Sequence, residues 1–345
     1  MSQPFELCII RLSAIGDVCH ALAMINAIQT HKQNVNICWV IGKIEYELVK
    51  HIQDIQFIVY DKQNDKKSRK QVKKALANKE FDALFVMQVS LRANLLSRMV
   101  KAKRRIGFDY NRSREGHSLF INERIAPRPR AHVLEGFMGF AETIGVPVLH
   151  RPQWNIPLKE EDEVWVNENL PARYAVVSPA ASSAERNWLP DRYAKIIDYL
   201  DAQGIAVVLC GGPGNLDSDI TQEILLHTNK IHTNLVGQTS LIRLLSVIKH
   251  AQLVVAPDTG PAHMATTQSV PVVGLYAHSN PRRTGPYQSL MSVASVYEEC
   301  VQSQYKKTWQ SLPWGTRAKG DDLMEKISVQ EVKSLIQKVL NHQII

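Results

Sequence analysis

Apolar and polar positions follow two periods that take turns along the chain. FELCIIRL (5–12), NICWVIG (36–42), QFIVYD (56–61) and FDALFVMQ (81–88) are apolar runs of the kind expected of parallel strands covered on both faces. Helical spacing separates them. Val18, Ala21, Leu22, Ile25 and Ile28 recur at three- and four-residue intervals, EYELVKHI follows the second run, and a basic helix precedes the fourth. LRANLLSRMV (91–100) predicts another helix and RRIGF (104–108) a short strand. Residues 109–135 lack either period, are rich in arginine and contain histidine, and read as a long functional loop. A helix is predicted at about Leu134–Ile144, and Pro147, Pro152 and Pro157 mark a linker.

The alternation then restarts. A strand at 174–178, a helix from Asp191 to Gln203, a strand in IAVVLCGGPGN and a helix from Leu216 to His227 come first. NLVGQTSLIRLLSVIKHA predicts a short strand and a helix. After these come a buried strand (Leu253–Ala256), a tight turn, a short helix (Pro261–Thr267), a second buried strand (Val270–Leu275) and a basic loop. Val329–Leu340 is an amphipathic helix. Regular alternation of strand and helix predicts open, mostly parallel α/β sheets, and 345 residues exceed what one core usually serves. The expected architecture is two Rossmann-like domains facing each other across a cleft, residues 1–155 and 156–328, with 329–345 as a C-terminal amphipathic helix. Ligands then belong at the carboxyl ends of the strands.

Charge changes this picture more than bulk composition does. The net charge is +8, but residues 1–150 hold 23 Lys and Arg against 14 Asp and Glu, a balance of +9 that leaves the remainder at −1. The excess sits in DKQNDKKSRKQVKK (61–74), KAKRR (101–105) and the Arg112–Arg130 segment, so an anionic partner is expected for that half. No zinc-finger, RNP-like or basic-zipper pattern accompanies these charges, and nucleic acid is not expected. The N-terminal apolar run is too short for a signal peptide and Arg11 interrupts it, while no stretch approaches the ~20 apolar residues of a membrane span. Cys8, Cys19, Cys38, Cys210 and Cys300 show no CxxC spacing, which predicts reduced cytoplasmic thiols rather than disulfides or zinc.

Several loops carry candidate chemistry. Asp258, Thr259, Gly260 and His263 crowd a turn at the start of a helix, where unpaired N–H groups and the helix dipole favour an anion, most naturally a phosphate. A capped βα turn is the plainer alternative. Asp17, in the first strand-to-helix loop, reads either as a helix cap or as a general base; its small and apolar neighbours would favour basicity. Ser182, Ser183 and Arg186 offer two hydroxyls and a guanidinium suited to a diphosphate. GGPGNLD (211–217) lacks the GK[ST] ending of a Walker loop, but its bare backbone suits a nucleoside, with Asp217 accepting ribose hydroxyls. Gly16 has no GxGxxG around it, and His20, His117, His132, His263 and His278 lack metal-ligand spacing.

Taken in order, RLSAIGDVCHALAMINAI, SSAERNW, GGPGNLD, LVGQTSLIRLLSVIKHAQLVVAPDTGPAHMA and VPVVGLYAHSNPRRTGP resemble glycosyltransferase family 9, the ADP-heptose:lipopolysaccharide heptosyltransferases. The resemblance implies a GT-B fold, with the acceptor bound by the first domain and a nucleotide sugar by the second. It also implies inverting transfer of a sugar onto the Kdo/lipid A inner core. Asp17 matches the catalytic base. Ser182, Ser183, Arg186, Asp217, Asp258, Thr259, Gly260 and His263 match donor-binding positions, although the Ser–Ser pair and Arg186 stand where Thr and Lys are common. Arg92, Arg112 and Arg114 are the candidates for contacting acceptor carboxylates or phosphates. Implied partners are an ADP-heptose-like donor, a phosphorylated Kdo-lipid A acceptor and, peripherally, the cytoplasmic face of the inner membrane. No protein metal site is predicted, and magnesium is left open. A hexose in place of heptose, or a non-catalytic sugar-nucleotide-binding protein, are the other readings that these residues leave open.

Overall fold

The chain's two runs of alternating elements become two parallel sheets of six strands each. A computed structural model describes residues 3–147 and 151–343. The chain divides into two compact units, Met1–Pro157 and Leu158–Ile345. Within the proline-marked linker, residues 148–150 lie outside the described residues.

In the first unit, β1 (Phe5–Ile10), β2 (Val35–Gly42), β3 (Ile55–Tyr60), β4 (Glu80–Val86), β5 (Lys101–Gly107) and β6 (Glu123–Arg124) line up as β3-β2-β1-β4-β5-β6. Every pairing is parallel. Such strands are covered on both faces, and Leu7 to Ile10 are wholly buried. The helices Asp65–Leu76 and Leu91–Ser97 press Val72, Leu76, Ala93 and Leu96 onto one face of this sheet. The helix Ile15–His31 packs with the helix Val133–Thr143, and it is apolar along most of its length, with Val18, Leu22, Ile25 and Ile28 all buried.

The second unit repeats the plan. β7 (Tyr174–Val177), β8 (Ala206–Leu209), β9 (Ile231–Asn234), β10 (Val254–Pro257), β11 (Val272–Tyr276) and β12 (Val293–Ser295) are ordered β12-β11-β10-β7-β8-β9, again all parallel. Numbered within each unit, both sheets have the order 3-2-1-4-5-6 of a doubly wound dinucleotide-type fold. Winding therefore reverses between β1 and β4, and between β7 and β10. The helix Val329–Leu340 buries Val332, Ile336 and Val339 in the second unit's core.

Four features depart from the sequence reading. The irregular 109–135 segment contributes β6, only two residues long, which closes the edge of the first sheet beside β5. The helix Glu160–Asn169 is not foreseen, because it has almost no apolar stripe: of its apolar side chains only Val166 is buried. Charge docks it instead. Asp162 accepts from Arg243 at 2.6 Å, and Glu163 accepts from Lys249 at 2.8 Å and contacts His250 at 3.0 Å. The basic loop after β11 contains a helical turn, Pro281–Thr284, capped by the Asn280 side chain, which accepts from the Arg282 N–H at 3.0 Å. β12 and the helix Tyr297–Tyr305 follow, and neither is signalled by a long apolar run.

Trp188 ties the loop after β7 to the C-terminal region of its unit. Its ring is 1% exposed, stacks edge-on against Tyr193 at 5.2 Å, and its indole N–H donates to the Ile327 carbonyl at 3.1 Å. Trp188→Ala is expected to lower unfolding free energy by about 3–5 kcal/mol, the usual loss for a large buried aromatic, and Trp188→Phe by distinctly less. Urea denaturation of the three proteins measures both.

Candidate active site

Each reversal of winding opens a gap, because the loops leaving its two central strands depart toward opposite faces of the sheet. In the first unit the gap lies between the chain leaving β1, Arg11 to Ala14, and the chain leaving β4, Met87 to Ser90. The two loops are laced together. The Arg11 guanidinium donates to the Met87 carbonyl at 2.5 Å, and the Leu12 N–H donates to Gln88 Oε1 at 2.8 Å. Gly42, at the end of β2, completes the fit: a Cβ there would stand 2.2 Å from the Leu12 carbonyl oxygen.

Asp17 sits in the first turn of the helix Ile15–His31, at the mouth of this gap. Its Oδ2 accepts from the Ala14 N–H at 3.3 Å, the local cap expected of an acidic residue there, and is ion-paired with Arg11. The expected apolar surroundings are thus corrected, because a guanidinium lies directly against the carboxylate. Arg11 itself is 9% exposed, lies 5.2 Å from the Phe137 ring centre, and has Glu45 nearby. Burial pulls its pKa down, and Asp17 and Glu45 oppose that pull. An arginine keeps its proton nonetheless. Burial also pushes the Glu45 carboxyl up. The sequence reading passed over Arg11 in any functional role; its signal was a lone cation ending an otherwise apolar strand.

In the second unit the equivalent gap lies between the loop after β7 and the turn after β10. Arg186 donates to the Ser182 hydroxyl and, at 3.4 Å, to the Ser183 hydroxyl, and its guanidinium lies 3.7 Å from the Asp258 carboxylate. Asp258 also meets His263 at 3.8 Å, while the Tyr276 and Thr284 hydroxyls each donate to it at 3.5 Å. Burial raises its pKa, but the facing His263 and the Arg186 charge outweigh that, so the carboxyl lies below its ordinary value. Tyr276 is pushed well up by burial and by the facing carboxylate. It enters the set from β11, and sequence spacing gave no sign of it.

Thr259 is the N-cap of the helix Gly260–Thr267, and its hydroxyl makes no capping bond. That hydroxyl is buried without a hydrogen-bond partner. The helix start therefore presents the Gly260 and Ala262 N–H groups without preceding helical carbonyls. Arg186, the two serine hydroxyls and this helix start together form a wall of hydrogen-bond donors at the reversal point. Asp217, one strand further along, turns its carboxylate away from that set and back to its own loop. It accepts from the Gly212 N–H at 2.7 Å, and burial pushes its pKa up. Gly211 must stay bare for this, since a Cβ would come 2.7 Å from Asp217 Oδ1.

The acceptor candidates are scattered over the first unit. Arg114 is exposed, and Arg92 lies 3.4 Å from Asp65. Arg112 is spent within its own loop: it pairs with Asp109 at 3.2 Å and donates to the Arg128 carbonyl at 2.9 Å, and burial draws its pKa down. His117 is structural. Its Nε2 accepts from the Phe108 N–H at 3.2 Å, which leaves Nδ1 to donate to Asn94 Oδ1 at 2.8 Å. All five cysteines are free and buried. Among the described residues no group of three or more His, Cys, Asp or Glu is placed to hold a metal ion.

Comparison with known proteins bears on the family and the fold. The sequence pattern described as glycosyltransferase family 9 (heptosyltransferase) matches residues 69–314. The chain is 42% identical over 338 residues to the lipopolysaccharide core heptosyltransferase OpsX of Haemophilus influenzae, covering 97% of each chain. Among solved structures, the family 9 glycosyl transferase of Veillonella parvula superposes with a TM-score of 0.79 at 19% identity, covering 99% of this chain and 98% of that one. The heptosyltransferase WaaC of E. coli with ADP gives 0.75 at 20% identity, covering 97% and 100%. These two share the fold.

Burial, and then the Arg124 charge, lowers the pKa of His117 to about 4, so the folded protein takes up its proton later than the unfolded chain does. The native state is stabilised above about pH 6.5, and that contribution is lost as pH falls toward 4, in total about 3 kcal/mol. A His117→Leu variant should lack this share of the acid slope when stability is followed by urea denaturation from pH 7 to pH 4. An unchanged slope would place the titration elsewhere.

Proposed function

We propose, because this chain belongs to glycosyltransferase family 9 (heptosyltransferase), that it moves L-glycero-D-manno-heptose from ADP-heptose onto the Kdo/lipid A inner core of lipopolysaccharide or lipooligosaccharide. The chain is a glycosyltransferase, and inverting transfer fits its residues. The observation that carries the reading is the wall of hydrogen-bond donors at the β7/β10 reversal: Arg186, the Ser182 and Ser183 hydroxyls and the open start of the helix Gly260–Thr267. These groups suit a sugar diphosphate, and Asp258, Thr259, Gly260 and His263 border the same place.

In the proposed reaction the acceptor hydroxyl oxygen bonds to C1 of the heptose from the face opposite the diphosphate, and its proton passes to the Asp17 carboxylate. The bond from C1 to the diphosphate oxygen breaks, and its electron pair leaves on ADP. Arg186 and the helix N–H groups meet the charge that develops on that oxygen. Arg11 holds the Asp17 carboxylate in place for that transfer. We assign acceptor binding to residues 1–155 and donor binding to residues 156–328, with Asp217 bordering the ribose. Exposed Arg114, with Arg92, is assigned to acceptor anions, and Arg112 to shaping the loop that carries Arg114. A phosphorylated lipid acceptor places the enzyme at the cytoplasmic face of the inner membrane. None of the helices described is long and apolar enough to cross a membrane.

Asp17→Asn should lower kcat by about 10²–10⁴-fold, the usual worth of a general base, while the Kd for ADP-heptose by calorimetry stays within twofold. Near-wild-type kcat in that variant would remove Asp17 from the role. Mass spectrometry of the product made from ADP-heptose and Kdo-lipid A tests the reaction itself; an acceptor that gains no heptose would refute it. Arg114→Ala is expected to raise acceptor KM several-fold and to leave donor affinity alone, and a defect confined to the donor would contradict the assignment.

A further inference from the structure

The helices Asp65–Leu76 and Leu91–Ser97 cover the same face of the first sheet, and their outward sides are unlike in a useful way. The first turns Ser68, Val72 and Leu76 inward and exposes Lys66, Lys67, Lys70, Lys73 and Lys74. The second buries Ala93, Asn94, Leu96 and Ser97 and leaves Leu91 56% and Leu95 36% exposed, one turn apart on one stripe. Arg92 pairs with Asp65 at 3.4 Å and so joins the beginnings of the two helices. Beyond the second helix the chain at 115–120 continues the surface. The Leu91 N–H donates to Glu115 Oε2 at 2.6 Å, Asn94 donates to the Glu115 carbonyl at 3.1 Å, and Arg98 lies 5.0 Å from the Phe120 ring centre. Leu119, in that segment, is 78% exposed.

Leucine side chains standing in solvent beside an array of lysines combine the two features that hold a protein on an anionic bilayer, apolar insertion and attraction to headgroups. The carboxylates on this surface are already engaged. Asp65 is held by Tyr60, Arg69 and Arg92, and Glu115 by the backbone of Leu91. Unopposed positive charge is what remains. We propose that this face of the first unit docks on an anionic phospholipid surface, with Leu91, Leu95 and Leu119 entering the headgroup layer and the lysines of Asp65–Leu76 lying against the phosphates. The inference rests on the proposed function only for its purpose, which is to bring the acceptor loops to a lipid-borne acceptor.

The full-length protein is to be sedimented with vesicles of phosphatidylcholine alone and with vesicles containing phosphatidylglycerol. Binding to the anionic vesicles, weakened by salt and nearly absent on the neutral ones, is expected. Leu91→Ser with Leu119→Ser should weaken it about tenfold or more, and so should Lys70→Glu with Lys74→Glu. Both pairs should leave turnover unchanged on a delipidated, water-soluble acceptor, which also reports intact folding. The Asp17→Asn protein should bind vesicles like wild type, so loss of catalysis and loss of docking are read separately. Absence of vesicle binding, equal binding to neutral vesicles, or wild-type binding by both double variants would overturn the proposal. So would a leucine variant that altered only self-association in light scattering, since the face would then be a contact between copies.

Discussion

A parallel sheet that winds both ways from its middle must send a pair of neighbouring chains apart at one point, and that constraint organises this protein twice. The chains leaving β1 and β4 diverge in the first unit, and those leaving β7 and β10 in the second. At the first divergence, Arg11 bridges the two loops through the Met87 carbonyl and carries Asp17. At the second, Arg186 reaches from the loop after β7 to the carboxylate that follows β10. An arginine spans the gap in both units. A long planar cation with several donors suits such a span, since it bonds to carbonyl, hydroxyl and carboxylate at once without losing its charge.

The two arginines act on their carboxylates in different settings. Arg186 has hydroxyl partners and the Asp258 carboxylate around it, at the start of a helix. Arg11 is shut between sheet, Phe137 and the Met87 carbonyl, and its charge serves Asp17 and Glu45. A pair with one buried partner, here Arg11, adds little net stability over an apolar replacement, because desolvation of the guanidinium offsets much of the attraction. What it supplies is orientation of the Asp17 carboxylate.

The strands were legible because a parallel sheet writes itself as apolar runs, and β1, β2, β4 and β10 are such runs. The turn and helix start at Asp258–His263 were legible too, since a glycine and a proline at a helix start follow from local geometry. The helix Glu160–Asn169 was not, because ion pairs to Arg243, Lys249 and His250 dock it, and those partners are more than seventy residues away in sequence. Arg11 was missed for a related reason. Its meaning depends on Met87 and Phe137, which the fold brings to it, and nothing within a few residues announces them. Tyr276 joined the second site in the same way, from a neighbouring strand. Local pattern reveals a residue whose partners are local, and these three have distant ones.

The pairing of Arg11 with Asp17 also bears on how such a protein changes over generations. Exchange of Asp17 for a small apolar residue would remove the proposed base and leave a guanidinium in the interior with its nearest counter-charge gone, a cost of about 1–3 kcal/mol. An asparagine, which can still accept from the arginine, spares most of it. The direct route from enzyme to inert binding protein therefore passes through less stable intermediates unless Arg11 is lost first or the replacement stays polar. The proposed catalytic role and foldedness are linked at this position, and drift that erodes the one is opposed by selection on the other.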